Sequence, residues 1–473
     1  MKENYGIVTL EIVGELKEIV GPRNIIFEDK ESLKNYATDN TGEMLGRLPD
    51  VVVKPEFTEQ ISKIMKLANR TRIPVTPRGA GSGDCGGAVP LYGGIVLSVE
   101  RMNRILEIDT VNRVAVVEPG VITNEICQRV SEKGLMYAGY PMSVHSSFIG
   151  GNVATNAGGG KVIRYGNTRM HVLGLEVVLP TGEVIDLGGK FRKETWGYNL
   201  LHLMIGSEGT LGIFTKITVN LVPPTRGIVD LLVPFGDVDT AVNAVANIVV
   251  LAGVIPVAVE FMDKIAVSLS TKYLNTKIPF QEKAEAFLII QLESGAKEDL
   301  ENLYEKVGEI CLNSGALDVF VADNRTDSEN IWKVRESAGD ALKAADPHAI
   351  MGGDQVVPLS RVPDMMKEIK RIGEKYNVRF RITAHIADGN IHAEAMKPGS
   401  LSVEEWPKIA DELYHEMTNI AIKLGGTGSG EHGVGFIAKE IFLNTKPEAE
   451  LNLMRGIKKV FDPNYVLNPG KIF

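Results

Sequence analysis

The chain has 473 residues, of which 44% are hydrophobic and 23% charged, with a formal net charge of −9. At roughly 100–200 residues per domain this means two or three folded units, and the composition excludes a disordered or fibrous protein. The negative balance also makes a nucleic-acid backbone a poor partner.

Three cysteines, Cys85, Cys127 and Cys311, are too few for a disulfide framework or for the four thiolates of an iron–sulfur cluster. They fit a reducing, cytoplasmic setting. The first residues mix acids with apolar side chains, unlike a signal peptide, and residues 1–45 read as a polar helical segment. From Val51 to Val219 the text turns to short β-rich runs, among them DVVVKP, IPVTPR, GIVLSV and VLGLEVVLP, set between Gly and Pro. Helices are predicted to interrupt them at Glu56–Arg72 and Ile122–Gly134. Pro223-Pro224 marks a boundary. The apolar run Ala241–Val259 carries Asn243, Asn247, Gly253 and Pro256. It therefore reads as a core helix from Asp239 to about Leu251 followed by a strand, not as a membrane span. Beyond it helix and strand alternate, which predicts a sheet of a few strands with helices on one face. The last nine residues, YVLNPGKIF, are too apolar for a solvated tail and are expected to dock on a domain. The fold class is α+β, with segments 1–45, 46–225, 226–450 and 451–473.

Glycine, 49 residues of 473, is dense in three loops of the β-rich region. The strand-like IPVTP runs into Arg78-Gly79-Ala80-Gly81-Ser82-Gly83. Successive backbone N–H groups in such a turn form a nest for anions, to which Arg78 adds charge. The downstream stretch CGGAVPLYGG cannot open a helix, so this is no Rossmann loop. The others are Ile149–Gly160 (IGGNVATNAGGG) and Gly206–Ile213 (GSEGTLGI). Three such loops in one domain suggest a long polar ligand carrying phosphates, approached closely by backbone.

Asp388-Gly389 between β-like runs predicts a two-residue hairpin turn. His385 then pairs with His392, their Cβ atoms roughly 4.5–5.5 Å apart on one face, while Ile386 and Ile391 face a core. Two imidazoles so placed either share a divalent metal or are hydrogen-bonded strand residues. Six glycines in the eleven residues Gly425–Gly435 surround Glu431-His432. That loop could turn both side chains to one side, and Glu431 would complete a two-His, one-carboxylate set.

The motifs PRGAGSG, IGGNVATNAGGG, GSEGTLGI and LNPGKIF, in that order, resemble the FAD-binding oxidoreductases of the vanillyl-alcohol oxidase type. The closer resemblance is to the D-lactate dehydrogenase/glycolate oxidase flavoprotein-subunit group, and it covers nearly the whole chain. It implies a two-subdomain, PCMH-type FAD-binding domain over 46–225. A cap or substrate domain with an antiparallel sheet would cover 226–450, with 451–473 docked on the FAD domain. It implies noncovalent FAD, with the pyrophosphate near Pro77, Arg78, Gly79, Ala80, Gly81, Ser82 and Gly83. Pro141, Gly150, Gly151, Asn152, Thr155, Asn156, Gly158, Gly159, Gly206, Glu208, Gly209, Gly212, Ile213 and Asn468 would contact the rest. Cys85 is expected to be a small buried residue, and His145 stands where relatives often have Asp-Pro.

The same resemblance makes His385, His392 and Glu431 the ligands of one divalent metal, Zn, Fe or Mn. It makes His432 the general base and Arg335, in Trp332-Lys333-Val334-Arg335, the clamp on a substrate carboxylate. Glu394 stands where some relatives have Asn. The implied activity is an FAD-dependent dehydrogenase of a small D-2-hydroxy acid, D-lactate first, with glycolate and D-2-hydroxyglutarate as alternatives. Electrons would pass to a separate acceptor, such as electron-transfer flavoprotein or an iron–sulfur subunit, with a bifurcating complex as a minority subtype. The chain would not be an integral membrane protein. Two other classes fit the residues: a metal-dependent hydrolase, and a noncatalytic flavoprotein subunit.

Overall fold

The computed structural model describes residues 5–42, 46–225 and 227–473. The chain separates into two compact units. The first comprises residues 1–158, 167–224 and 431–473, and the second residues 159–166 and 225–430. Residues 431–450, which the sequence grouped with the cap, thus fold with the first unit. Hydrogen bonds explain it: the Phe436 and Ile437 amides donate to the Cys85 carbonyl at 2.8 and 3.1 Å. The domain limit at 225/226 falls beside residue 226, which lies outside the described residues.

The first unit holds two sheets. Strands β1 (Ile25–Phe27), β2 (Val51–Val53), β3 (Val75–Arg78) and β4 (Ile95–Ser98) form one, in the order β1-β2-β4-β3. β2 and β3 both run parallel to β4. Every residue of β2 and β4 is buried, as expected of a parallel sheet covered on both faces. The helix Thr58–Thr71 joins β2 to β3 and buries Ile61, Ile64, Met65 and Ala68 at helical spacing. β1 corrects the all-helical reading of residues 1–45: Gly21, at φ 83°, ends the helix Leu10–Val20, and Ile25–Phe27 then pair with β2. The C-terminal segment packs on the other edge. Leu467 bridges Val75 in parallel, and Val466 and Leu467 are buried in the same core.

The second sheet is antiparallel: β5 (Ile105–Asp109), β6 (Val114–Val117), β7 (Val172–Val178), β8 (Val184–Gly188) and β9 (Ile213–Asn220), in the order β5-β6-β9-β7-β8. One glycine segment is not a loop. Residues Ile149–Thr155 form a short helix that ends where Asn156 turns left-handed at φ 53°.

The other unit is a seven-stranded antiparallel sheet. Its strands are β10 (Gly227–Phe235), β11 (Ala258–Asp263), β12 (Ala286–Ser294), β13 (Phe320–Ala322), β14 (Gln355–Val356), β15 (Arg379–His385) and β16 (Asn390–Met396). Their order is β13-β10-β12-β11-β15-β16-β14. Helices cover both faces, not one. Val238–Leu251, Lys297–Asn313, Val362–Tyr376 and Trp406–Lys423 pack on the side of Leu231, Leu288 and Ala384. Lys264–Leu274 and Arg325–Glu336 pack on the side of Leu232, Phe287 and Ile289. Such doubly covered strands read as unbroken apolar runs, AFLIIQL among them, so the sequence does not reveal the second layer. Among the described residues no helix is long and apolar enough to cross a membrane.

The hairpin register also differs. His385 pairs with Asn390, and His392 with Thr383. The turn is longer than two residues, because Ile386–Asp388 wind into a 3₁₀ turn closed by Gly389 at φ 81°. A shift of two keeps each side chain on its face, so Ile386 and Ile391 still reach the core.

Two glycine substitutions test this backbone. At Gly389 a Cβ would overlap the Val357 carbonyl and the φ is left-handed, so Gly389→Ala is expected to destabilise by about 2 kcal/mol or more. Gly14 lies within the helix Leu10–Val20, exposed and with nothing near a new Cβ. Gly14→Ala should stabilise by roughly 0.5–1 kcal/mol. Urea denaturation of the two variants checks both signs.

Candidate cofactor cleft and histidine face

The first unit contains a cleft of about 330 Å³, lined largely by the residues the sequence singled out, a ligand-sized volume. Pro77 through Gly83 form one wall. Pro141, Gly150, Gly151, Asn152, Thr155 and Gly158 form another, and Glu208, Gly209, Gly212 and Ile213 a third. Glu431 and His432 reach the same cleft. Four expected residues lie elsewhere. Gly159 belongs to the other unit. The Asn156 side chain accepts from the Arg169 amide at 2.9 Å, and the Gly206 amide donates to Val153. Asn468 donates to the carbonyls of Glu208 (2.9 Å) and Gly87 (3.1 Å). Asn156, Gly206 and Asn468 brace the walls and are not among the lining residues.

The glycines act less uniformly than a shared loop motif suggests. The Ala80, Gly81, Ser82 and Gly83 amides find no acceptor among the described residues, so this turn keeps the free donors an anion nest requires. In contrast, the Gly150 and Gly151 amides are already bonded to the Pro119 (2.8 Å) and Phe148 (3.0 Å) carbonyls. There glycine contributes absent bulk: a Cβ on Gly151 would meet nothing within 4 Å. Arg78 is committed as well. It donates to the Thr38 carbonyl at 2.6 Å and the Asn35 carbonyl at 3.2 Å, and burial pulls its guanidinium below the usual range. The positive φ of Gly81, 74°, puts a hypothetical Cβ onto that guanidinium.

Glu208 was expected to touch the cofactor. It lines the cleft, and its carboxylate accepts from the Val434 amide (2.8 Å) and the Gly435 amide (2.6 Å). Burial pushes this carboxyl above its ordinary range, against the pull of those two amides. The Cys85 thiol donates to the carbonyls of His432 (3.0 Å) and Gly433 (3.2 Å). Glu208 and buried Cys85 therefore fix the loop after Glu431-His432, whose side chains come to 3.8 Å of each other. The glycine-rich spacing had allowed both to face one side, and within this unit they do.

In the other unit, alternation along three adjacent strands sorts the side chains. Phe261, Ala384, Ile391 and Ala393 enter the apolar core. Glu260 on β11, Arg381, Thr383 and His385 on β15, and Asn390, His392 and Glu394 on β16 share the opposite face, and all are buried. The two imidazoles lie with ring centroids 5.3 Å apart, nearly perpendicular at 86°. His385 Nδ1 is 2.6 Å from Glu260, and His392 Nδ1 is 3.0 Å from the Gly353 carbonyl. Both bonds place the proton on Nδ1 and the lone pair on Nε2. Arg335, 7% exposed, is no surface arginine: its Nη2 is 2.8 Å from Glu260. Glu394 is ion-paired with Arg381, and Arg381 also donates to Thr383 at 2.7 Å. Sequence reasoning passed over Glu260. The signal for it was an acid at an inward position of an otherwise apolar strand, VAVEFM.

Family models match at two places: "FAD binding domain" over residues 49–188 and "FAD linked oxidases, C-terminal domain" over 226–472. The chain belongs to the FAD-linked oxidase family. The D-lactate dehydrogenase of Anaerostipes hadrus is 34% identical over 99% of this chain and 98% of its own. Glycolate oxidase subunit GlcD of Bacillus subtilis is 37% identical over 99% and 97%. The D-2-hydroxyglutarate dehydrogenase of Stutzerimonas stutzeri is 32% identical over 98% of both chains. Solved structures of p-cresol methylhydroxylase (TM-score 0.80, 19% identity, 98% of this chain and 97% of that) and of 4-ethylphenol oxidase from Gulosibacter chungangensis (0.79, 19%, 99% and 98%) share the fold. The PCMH-type expectation holds, and the chain is an FAD-linked oxidoreductase of the D-lactate, glycolate or D-2-hydroxyglutarate dehydrogenase type.

The cleft of this FAD-linked oxidoreductase fits the cofactor chemically. The unspent amides of Ala80–Gly83 suit phosphate oxygens. Asp39 Oδ2, buried in the wall and without a hydrogen-bond partner among the described residues, is an acceptor for a hydroxyl. Gly151→Val should fill the open space its Cβ faces and lower FAD content several-fold, read from the flavin-to-protein absorbance ratio. Gly81→Val should also lose FAD, but with a fall in thermal stability, because it strikes Arg78. Unchanged flavin content in Gly151→Val would contradict the assignment of the cleft.

The buried polar face also carries a pH signature. Asp263, at the end of β11, accepts from the Ala266 amide at 2.7 Å, and burial raises its carboxyl to about 7. A carboxyl raised in the folded state stabilises below its unfolded value near 3.8. That contribution is lost as pH rises through about 7. Wild-type Tm should therefore fall relative to Asp263→Asn between about pH 5 and pH 8, by roughly 5 °C or more. Parallel Tm profiles would refute the shift.

Proposed function

We propose that this chain oxidises a short D-2-hydroxy acid, D-lactate first, to the 2-oxo acid and delivers the electrons to a separate acceptor protein. The observation that carries it is the pair of adjacent buried imidazoles whose Nδ1 atoms face a carboxylate and a carbonyl, in a chain whose relatives include enzymes named for lactate, glycolate and hydroxyglutarate. His385 and His392 are proposed ligands of one divalent metal, Zn, Fe or Mn, since imidazole nitrogen does not select strongly among them. Glu431 is proposed as the carboxylate ligand on the strength of its motif. Bound FAD would supply the hydride acceptor for the substrate carbon.

The chain's own groups account for the rest. A dication held by the imidazoles would lower the pKa of a substrate hydroxyl. His432, lining the cleft beside Glu431, is the proposed base that takes the hydroxyl proton. Arg335 is proposed to hold the substrate carboxylate, its charge shared with Glu260. Glu394, paired with Arg381, leaves that arginine neutralised, which favours a substrate with one carboxylate over a dicarboxylate. The acceptor is proposed to be electron-transfer flavoprotein or an iron–sulfur subunit, because three cysteines cannot house a four-thiolate cluster in this chain.

Anaerobic mixing of the holoenzyme with D-lactate should bleach the flavin band, and L-lactate should not. His432→Gln should slow that bleaching by about 10²–10⁴-fold with FAD retained. Arg335→Lys should chiefly raise KM, because an ammonium cannot make the planar two-bond contact. A flavin that D-lactate, glycolate and D-2-hydroxyglutarate all leave oxidised would support a noncatalytic subunit instead.

A further inference from the structure

We propose that Glu260 is a positioning residue that prepares His385 to hold a divalent cation, an inference that rests on the metal reading above. Glu260 has no exposed surface and stands opposite His385 in the pairing of β11 with β15. One carboxylate oxygen lies 2.6 Å from His385 Nδ1, and the other 2.8 Å from Arg335 Nη2. Gly160 leaves room for the pair, since a Cβ there would come within 2.7 Å of Glu260 Oε1.

The chemistry follows from those contacts. A carboxylate that accepts from Nδ1–H keeps the proton on that nitrogen and makes Nε2 the metal-binding atom. Its charge also makes the ring a stronger donor than a neutral acceptor would. The Gly353 carbonyl, 3.0 Å from His392 Nδ1, is a neutral acceptor where His385 has a carboxylate, so the two imidazoles are not equivalent. A carboxylate buried this deeply is costly unless balanced, and the Arg335 guanidinium supplies the balance. Arg335 therefore serves the cation site through Glu260, besides its proposed contact with substrate. Amide in place of carboxylate keeps the size of Glu260 and removes its charge, so Glu260→Gln isolates the effect.

The test is a Zn²⁺ titration of metal-free, FAD-loaded protein against a chromophoric chelator. It uses wild type, His392→Ala, Glu260→Gln and the charge-balanced double variant Glu260→Gln/Arg335→Gln. Glu260→Gln should weaken Zn²⁺ binding by about 10–100-fold with FAD content held, while its Tm falls because Arg335 loses its partner and recovers in the double variant. The double variant should be as weak as the single one, which excludes a buried unpaired arginine as the cause. If the single variant fails to fold, the double variant carries the comparison. Zn²⁺ affinity within about twofold of wild type in both variants would overturn the proposal while leaving the metal reading intact. Wild type that binds no Zn²⁺, or His392→Ala that binds it unchanged, would remove the metal reading and the proposal with it.

Discussion

Every second residue of a β-strand faces the same side, and on β11, β15 and β16 that rule decides the chemistry of the second unit. One side receives Phe261, Ala384, Ile391 and Ala393 and closes a core. The other receives Glu260, His385, His392, Arg381 and Glu394, all buried. Burying these ionisable groups is tolerable because each has a partner: Glu260 takes both Arg335 and His385, Glu394 takes Arg381, and His392 bonds the Gly353 carbonyl. Such a face is rigid, because moving one member would strand another. These contacts fix the Nδ1 side of both imidazoles.

In the first unit the constraint is close approach of backbone. The cleft walls are built of glycine and other small residues, and their fixed geometry depends on larger groups behind them. Arg78 ties the first turn to the carbonyls of Thr38 and Asn35. Glu208 and Cys85 hold the loop after His432. The charged residues of the motifs thus shape the cleft, while backbone amides and empty space are what it offers a ligand.

Much of this could be read from the chain. The β-rich runs between Val51 and Val219 are strands, and the cleft collects most of the glycine motif residues because those motifs sit at strand ends and tight turns. Legibility failed where local patterns compete with distant partners. Ile25–Phe27 is too short to signal a strand and exists because β2 is beside it. The hairpin took a longer turn than Asp-Gly implies, with Ile386–Asp388 wound into a 3₁₀ turn that Gly389 closes. Arg78, Arg335 and Glu208 were identified as residues of consequence, but their carbonyl, carboxylate and amide partners lie between 40 and 227 residues away, beyond what spacing can show. Glu260 acquires meaning only once His385 is seen opposite it.

The account turns on whether His385 and His392 bind one metal ion through Nε2. X-ray absorption at the zinc edge of the Zn²⁺-loaded, FAD-containing protein tests that most directly. Two imidazole nitrogens at about 2.0–2.1 Å, with the outer-shell scattering of intact rings, are the predicted result. The signal should fall to one imidazole in His385→Ala and in His392→Ala. A zinc shell of water and carboxylate oxygens alone, unchanged in both variants, would contradict the account and leave the two histidines as hydrogen-bonded members of a buried polar face.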